Sequence, residues 1–324
     1  MKKNRLYCLT ATLANIILGI CLAEAETNTK LDVIVSIKPI HSLVSGIMQD
    51  IGKPYLLIDG ANSPHTFTLK PSHAARLKNA DIIFWMGEKL EPTLQKPIRI
   101  IAATAISFNL LNLREINKFP FRRQTHFATK LPSLKTAPIL QNQQNYIEGT
   151  VDPHIWLDPI NAIILVKKIT QVLSEADPRN ARSYQARSVS LEKKLLALTQ
   201  RVNKNLANVK NAQLLFFHDA YQYFEKRFRL VNASVMFVSP EAIPSAARVR
   251  KIRKVILEKG TNCVFVEPQF PSKLVSMLIA KTNIKLGQVD PLGSNITLGP
   301  NQYFLLLDKL SNNISNCILR RIKR

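Results

Sequence analysis

From Leu31 onward the chain alternates short apolar runs with amphipathic stretches. Leu31-Asp32-Val33-Ile34-Val35-Ser36-Ile37 is a β-branched run of strand length, and Pro39 to Asp50 follows as a helix with Ile40, Leu43, Val44 and Ile47 on one face. Tyr55 to Ile58 reads as a second strand that stops at Asp59-Gly60. Ser72 to Asn79 is a short helix, and Asp81 to Met86 a buried strand that ends at Gly87. Strand and helix in alternation predict an α/β unit built on a parallel sheet. The same grammar returns later: a strand over Gln213 to Phe217, a helix over Ala220 to Phe228, and strands over Val264 to Val266 and Lys285 to Val289.

Between the two halves lie Pro159 to Ala176, a helix stopped by Asp177-Pro178, and a stripe of Leu191, Leu195, Leu198, Val202, Leu206 and Val209 repeating every three or four positions. A helix over Pro178 to Val209 is about 48 Å long, a length that spans domains; the stripe also permits a short coiled-coil seam. Residues 114–150 break the pattern with Pro120, Pro132, Pro138 and the polar run Gln141 to Asn145, and read as a long surface loop.

At the start, Lys2, Lys3 and Arg5 precede an apolar run from Leu6 to Leu22, and Ala23-Glu24-Ala25 has the small-x-small form of a secretory cleavage site. Residues 1–25 are expected to be a signal peptide that leaves on export, with an uncleaved anchor and a lipoprotein at Cys21 as the competing readings. Residues 26–177 then form an N-terminal α/β lobe, 178–209 the linker helix and 210–324 a C-terminal α/β lobe. The formal net charge of +23 is strong enough to attract anionic surfaces. Yet the basic residues are dispersed, with no aromatic-interleaved stripe, so no nucleic-acid partner is expected. Cys8 and Cys21 fall in the leader; Cys263 and Cys317 remain, and two cysteines in an exported chain are expected to pair, a metal-binding thiol pair being the alternative.

Of six histidines, three lie in turns or at a strand end: His65 in Asn62-Ser63-Pro64-His65-Thr66-Phe67, His154 in Asp152-Pro153-His154-Ile155-Trp156, and His218 in Phe216-Phe217-His218-Asp219-Ala220. Asp290, in Gln288-Val289-Asp290-Pro291-Leu292-Gly293, also follows a strand. In parallel sheets ligands gather beyond the carboxyl ends of strands, and three imidazoles with a carboxylate would make a tetrahedral site suited to Zn²⁺. Asp290 reads equally as a turn cap before Pro291. Glu241 and Glu267 are further cleft candidates, whereas His41, His73 and His126 stay with structural or surface readings. Neutral imidazoles bind the metal, so zinc affinity is expected to fall as they protonate below about pH 6.5.

The chain resembles the solute-binding proteins of bacterial ABC transporters for zinc and manganese, most closely the zinc-specific ZnuA type. The resemblance runs from about Val33 to Cys317. It is carried by Ser36-Ile37-Lys38-Pro39, Pro64-His65-Thr66-Phe67-Thr68-Leu69-Lys70-Pro71-Ser72, Ala80 to Trp85, His154-Ile155-Trp156-Leu157, Phe217 to Glu225, Cys263 to Phe270 and Asp290-Pro291-Leu292-Gly293. It implies two α/β lobes joined by one rigid long helix and a metal held between them by His65, His154 and His218. It also implies a Cys263–Cys317 disulfide, a periplasmic location, a monomer and a membrane permease as partner. Manganese-specific relatives carry a carboxylate where this chain has His218, and nitrogen there favours Zn²⁺ over Mn²⁺.

Two features depart from the zinc-specific pattern. The loop holds one histidine, His126, among Arg114, Lys118, Arg122, Arg123, Lys130 and Lys135, so no zinc gathering by the loop is expected. Pro64 stands where some zinc relatives place an acid. The fourth ligand is then Asp290 or water. The function expected is capture of Zn²⁺ for delivery to the permease, without catalysis. The competing readings are a secreted zinc hydrolase with Asp219 as its base, or a manganese-binding protein or adhesin of the same fold.

Overall fold

The structure, a computed structural model, describes residues 30–122, 150–237 and 246–319; the expected signal peptide, His126, Glu241 and most of the loop at 114–150 lie outside them. Strands β1 (Val33–Ile37), β2 (Tyr55–Ile58), β3 (Ile82–Trp85) and β4 (Ile106–Asn109) form one parallel sheet in the order β2-β1-β3-β4. Strands β5 (Leu214–His218), β6 (Ala233–Phe237), β7 (Cys263–Val266) and β8 (Lys285–Gln288) form a second, in the equivalent order β6-β5-β7-β8. In each sheet the order reverses beside the first strand, between β1 and β3 and between β5 and β7. That is where open α/β sheets leave a crevice.

The helices connect these strands as crossovers: α1 (Lys38–Met48), α2 (Pro71–Lys78) and α3 (Gln95–Ile101) in the first lobe, and α6 (Gln222–Phe228), α7 (Ala246–Glu258) and α8 (Lys273–Ile279) in the second. Every residue of β1 and α1 is buried, which is why β1 reads as an unbroken apolar run rather than an alternation. In β5 the alternation is legible. Leu214 and Phe216 join the large core shared by both lobes, whereas Leu215 and Phe217 pack in a second core with Ile252 and Ile256 of α7 and Val275 and Leu278 of α8.

Two longer helices lie between the lobes. In α4 (Pro159–Ala176), Asp158 caps the start by accepting from Ile160 N at 2.9 Å, and Pro159 sits in the first turn, where its missing N–H costs nothing. The linker helix α5 spans Ala181–Asn205, about 38 Å. The continuous helix expected over Pro178 to Val209 is therefore shorter, because its ends tighten into 3₁₀ turns at Pro178–Asn180 and Ala207–Val209. Its buried stripe of Tyr184, Leu191, Leu195, Leu198 and Val202 packs against α4, α1 and the last helix, α9 (Gln302–Leu319), rather than forming a coiled coil. Gly46 of α1 lets Leu191 approach so closely that an added Cβ would lie 3.3 Å from its Cδ1.

Helix α9 packs on α1 and α5 as well as on β8, and bridges the two sheets. The Cys263–Cys317 disulfide, with Cα atoms 6.3 Å apart, ties its C-terminal end to β7. Among the described residues no helix is long and apolar enough to cross a membrane.

Candidate metal centre

His65 sits in the 3₁₀ turn Pro64–Thr66 beyond β2, His154 immediately before the 3₁₀ turn Ile155–Leu157 that leads into α4, and His218 is the last residue of β5. These positions bring the three rings together. One nitrogen from each lies within 4.8 Å of the others, and the ring centroids are 5.0 to 5.5 Å apart. Among the described residues this is the one such group of potential metal ligands. The cluster opens on a cavity of about 10 Å³ walled by Pro64, Trp156, Phe270 and Leu292, room for a single water-sized occupant.

Two of the imidazoles are backed by carboxylates. Asp152 Oδ1 lies 2.8 Å from His154 Nδ1 and also accepts the His154 backbone N–H at 3.0 Å, which orients the ring and leaves Nε2 for the cluster. Glu267, just beyond β7, places Oε2 3.3 Å from His218 Nδ1. Carboxylate–imidazole pairs of this kind fix the tautomer and raise the basicity of a metal-binding nitrogen. Among the described residues His65 Nε2 is buried without a hydrogen-bond partner. Such an orphan atom is what a ligand waiting for its metal leaves behind.

Electrostatics sharpen the picture. Burial, followed by the neighbouring His218 and His154, drives the pKa of His65 well below its usual value, and burial followed by His218 does the same to His154. These two rings therefore stay neutral at a pH where a free imidazole would charge. Glu267 is pushed up by burial, and His218 pulls it back in part.

Asp290 is not drawn into the histidine cluster. Its Oδ1 accepts from Leu292 N at 2.9 Å and Gln269 Nε2 at 2.8 Å, and its Oδ2 from Ser294 N at 2.6 Å and Ser294 Oγ at 2.7 Å. It caps the 290–294 turn, the alternative its place before Pro291 left open. That turn in turn receives the first lobe: Trp156 Nε1 donates to Pro291 O and Lys38 Nζ to Ser294 O, each at 2.8 Å. His41 and His73 have structural roles, His41 against Pro54 O at 2.9 Å and His73 accepting the Lys70 N–H at 3.2 Å.

From the sequence Asp152 is assigned no role, although the structure sets it against His154. Its i, i+2 spacing across Pro153 is the signal that could have found it. Glu267 carries a stronger one, since it directly follows the strand next to the one His218 ends.

A two-lobed α/β fold with a histidine cluster between its lobes has the layout of a metal-binding protein. Residues 33–317 match the family model described as ZnuA, "Zinc-uptake complex component A periplasmic", and the chain belongs to this family. It is 38% identical to the high-affinity zinc uptake system protein ZnuA of Brucella abortus, over 88% of this chain and 91% of that protein. The fold is similar to that in a crystal structure of ZnuA, with a TM-score of 0.73 and 22% identity over 90% of this chain and all of that one. It is equally similar to that of a ZnuA deletion mutant with zinc bound, again with a TM-score of 0.73 and 22% identity, over 91% of this chain and all of that one. The family consists of periplasmic zinc-binding proteins that serve an ABC permease, and they are substrate-binding proteins rather than enzymes.

Proposed function

We propose that this chain captures one Zn²⁺ between its lobes on His65, His154 and His218 and hands it to a membrane permease. The observation that carries this reading is the meeting of three imidazoles, two buried and one half-buried, around a space for one ion. An all-nitrogen set suits zinc better than manganese, which gains from oxygen ligands. Glu267, beside His218 and lining the same cavity, is the nearest candidate for a fourth, oxygen position, with water as the other source. Asp290 serves instead by holding the turn that receives Trp156 and Lys38.

The proposal includes export of the chain by removal of residues 1–25, action as a monomer, and lobes bounded by 26–177 and 210–324 around the helix at 178–209. The hydrolase reading needs Asp219 as a base. Asp219 is fully buried and faces Arg122 across an ion pair of 3.2 Å, so it is committed elsewhere.

Equilibrium competition between Zn²⁺ and Mn²⁺ on the purified protein tests the assignment. One tightly bound Zn²⁺, preferred over Mn²⁺, is expected; tighter binding of manganese would overturn it.

A further inference from the structure

Arg122 ends one of the two arms that flank residues 123–149. Pro120 bridges Val151 in antiparallel fashion, Phe121 N donates to Thr150 O at 2.9 Å, and Asp152 N donates to Phe119 O at 2.9 Å. Arg122 and His154 therefore sit on two paired arms of the first lobe. From its arm the Arg122 side chain, 19% exposed, crosses to the second lobe. Its Nη2 is 2.5 Å from Glu225 Oε2, and its Nε is 3.2 Å from Oδ1 of Asp219, the residue that follows His218. Glu225 is 8% exposed and Asp219 not at all.

Asp219 is held chiefly by Arg122, whose guanidinium and backbone N–H both face its carboxylate, with His218 as a further compensating neighbour. The same seam is stitched by Gln222, whose Nε2 donates to Pro120 O at 3.0 Å and Asp152 Oδ2 at 3.2 Å, and by Tyr223, whose hydroxyl donates to Asp152 O at 2.8 Å.

Buried ion pairs contribute little net stability, because desolvation offsets the attraction, but breaking one leaves a charge stranded. A stranded Asp219 relieves itself by taking up a proton or by moving; either change alters what His218 packs against, and the backbone that moves carries His218. On the opposite arm, Asp152 fixes His154. The arginine thus joins the two segments whose histidine rings stand 5.0 Å apart. Apolar packing along the seam, such as Phe119 against Tyr223 with centroids 5.0 Å apart, holds the lobes together without specifying that spacing.

We propose that Arg122 is a positioning residue for zinc capture: its clasp on Asp219 and Glu225 sets His218 against His154 across the lobe boundary. The inference rests on the ligand reading above, and it assigns to the root of the loop a role that the loop's basic composition did not suggest.

The test compares wild type, Arg122→Met and Arg122→Lys with a triple variant, Arg122→Met with Asp219→Asn and Glu225→Gln, which removes all three buried charges together. Zinc release into excess chelator is timed by stopped flow, the visible absorption of the Co²⁺ form reports ligand geometry, and thermal unfolding of the zinc-free protein reports stability. Positioning predicts release faster by about tenfold or more and an altered Co²⁺ spectrum in Arg122→Met and in the triple variant, even where the triple variant melts as wild type does. Wild-type release and an unchanged spectrum in either folded variant, whatever its melting temperature, would overturn the proposal. If Arg122→Met does not fold, the triple variant and Arg122→Lys decide on the same two readouts. Wild-type protein that binds no zinc, or binding that survives His65→Ala unchanged, would instead undo the ligand reading.

Discussion

The two sheets have the same strand order and so the same crevice, yet they use it differently. In the second lobe the crevice between β5 and β7 is edged by His218 and Glu267, which face each other and open on the cavity. In the first lobe the crevice between β1 and β3 is closed. Glu91 turns inward there, fully buried, and its Oε2 accepts the backbone N–H groups of Met86 at 2.9 Å and Gly87 at 3.2 Å. That lobe supplies its histidines from elsewhere, the turn after β2 and the turn before α4. A shared topology offers a ligand position, and local hydrogen bonding decides whether the carboxylate there is spent on the backbone or left for chemistry.

The sharpest way to break this contrast is to remove the imidazoles. His218→Ala, His154→Ala and His65→Ala should each weaken zinc binding by on the order of a thousandfold or more, measured by competition against a chelator. A silent His154→Ala would remove that residue from the site.

Next in size are the carboxylates at the two neighbouring strand ends of the second lobe. Glu267→Gln, which weakens the backing of His218, should cost roughly ten- to a hundredfold in zinc affinity. Asp290→Ala should cost less than that in affinity but about 1–3 kcal/mol in stability, because it strands the donors of the 290–294 turn. Calorimetry and chemical unfolding on the two variants separate these effects; the reverse order of affinities would make Asp290 the ligand and Glu267 the bystander.

Smallest for zinc, and aimed at the closed crevice, is Glu91→Gln. Burial raises the pKa of Glu91 to about 7, with the Ser36 hydroxyl and the Met86 and Gly87 amides opposing the shift. The folded protein therefore holds a proton that the unfolded chain releases near the ordinary carboxylate value. Stability falls as pH rises between those two values and is flat above the upper one. Glutamine cannot ionise, so its stability relative to wild type should rise by about 1–3 kcal/mol between pH 4.5 and 7.5, with zinc affinity unchanged. A stability difference that does not vary with pH would mean that Glu91 is ionised throughout.

Much of this was legible in the chain because the signals were local. The β-branched run at Val33–Ile37, the Asp158-Pro159 start of α4 and the apolar stripe of α5 each dictate an element through backbone propensity and burial of one face. The three histidines stood out because they end strands or occupy turns, positions that in a parallel sheet face one side. Tertiary structure alone decided the carboxylates. Asp290 and Glu267 look alike in sequence, each acidic, each before a proline and each after a strand; only the fold shows one accepting four hydrogen bonds and the other lying against His218. Arg122 was hidden for the same reason. Its neighbours in sequence are loop, and its partners Asp219 and Glu225 are about a hundred residues away. Secondary structure follows from neighbours along the chain, whereas the partner that satisfies a buried charge is set by which surfaces the finished core brings into contact.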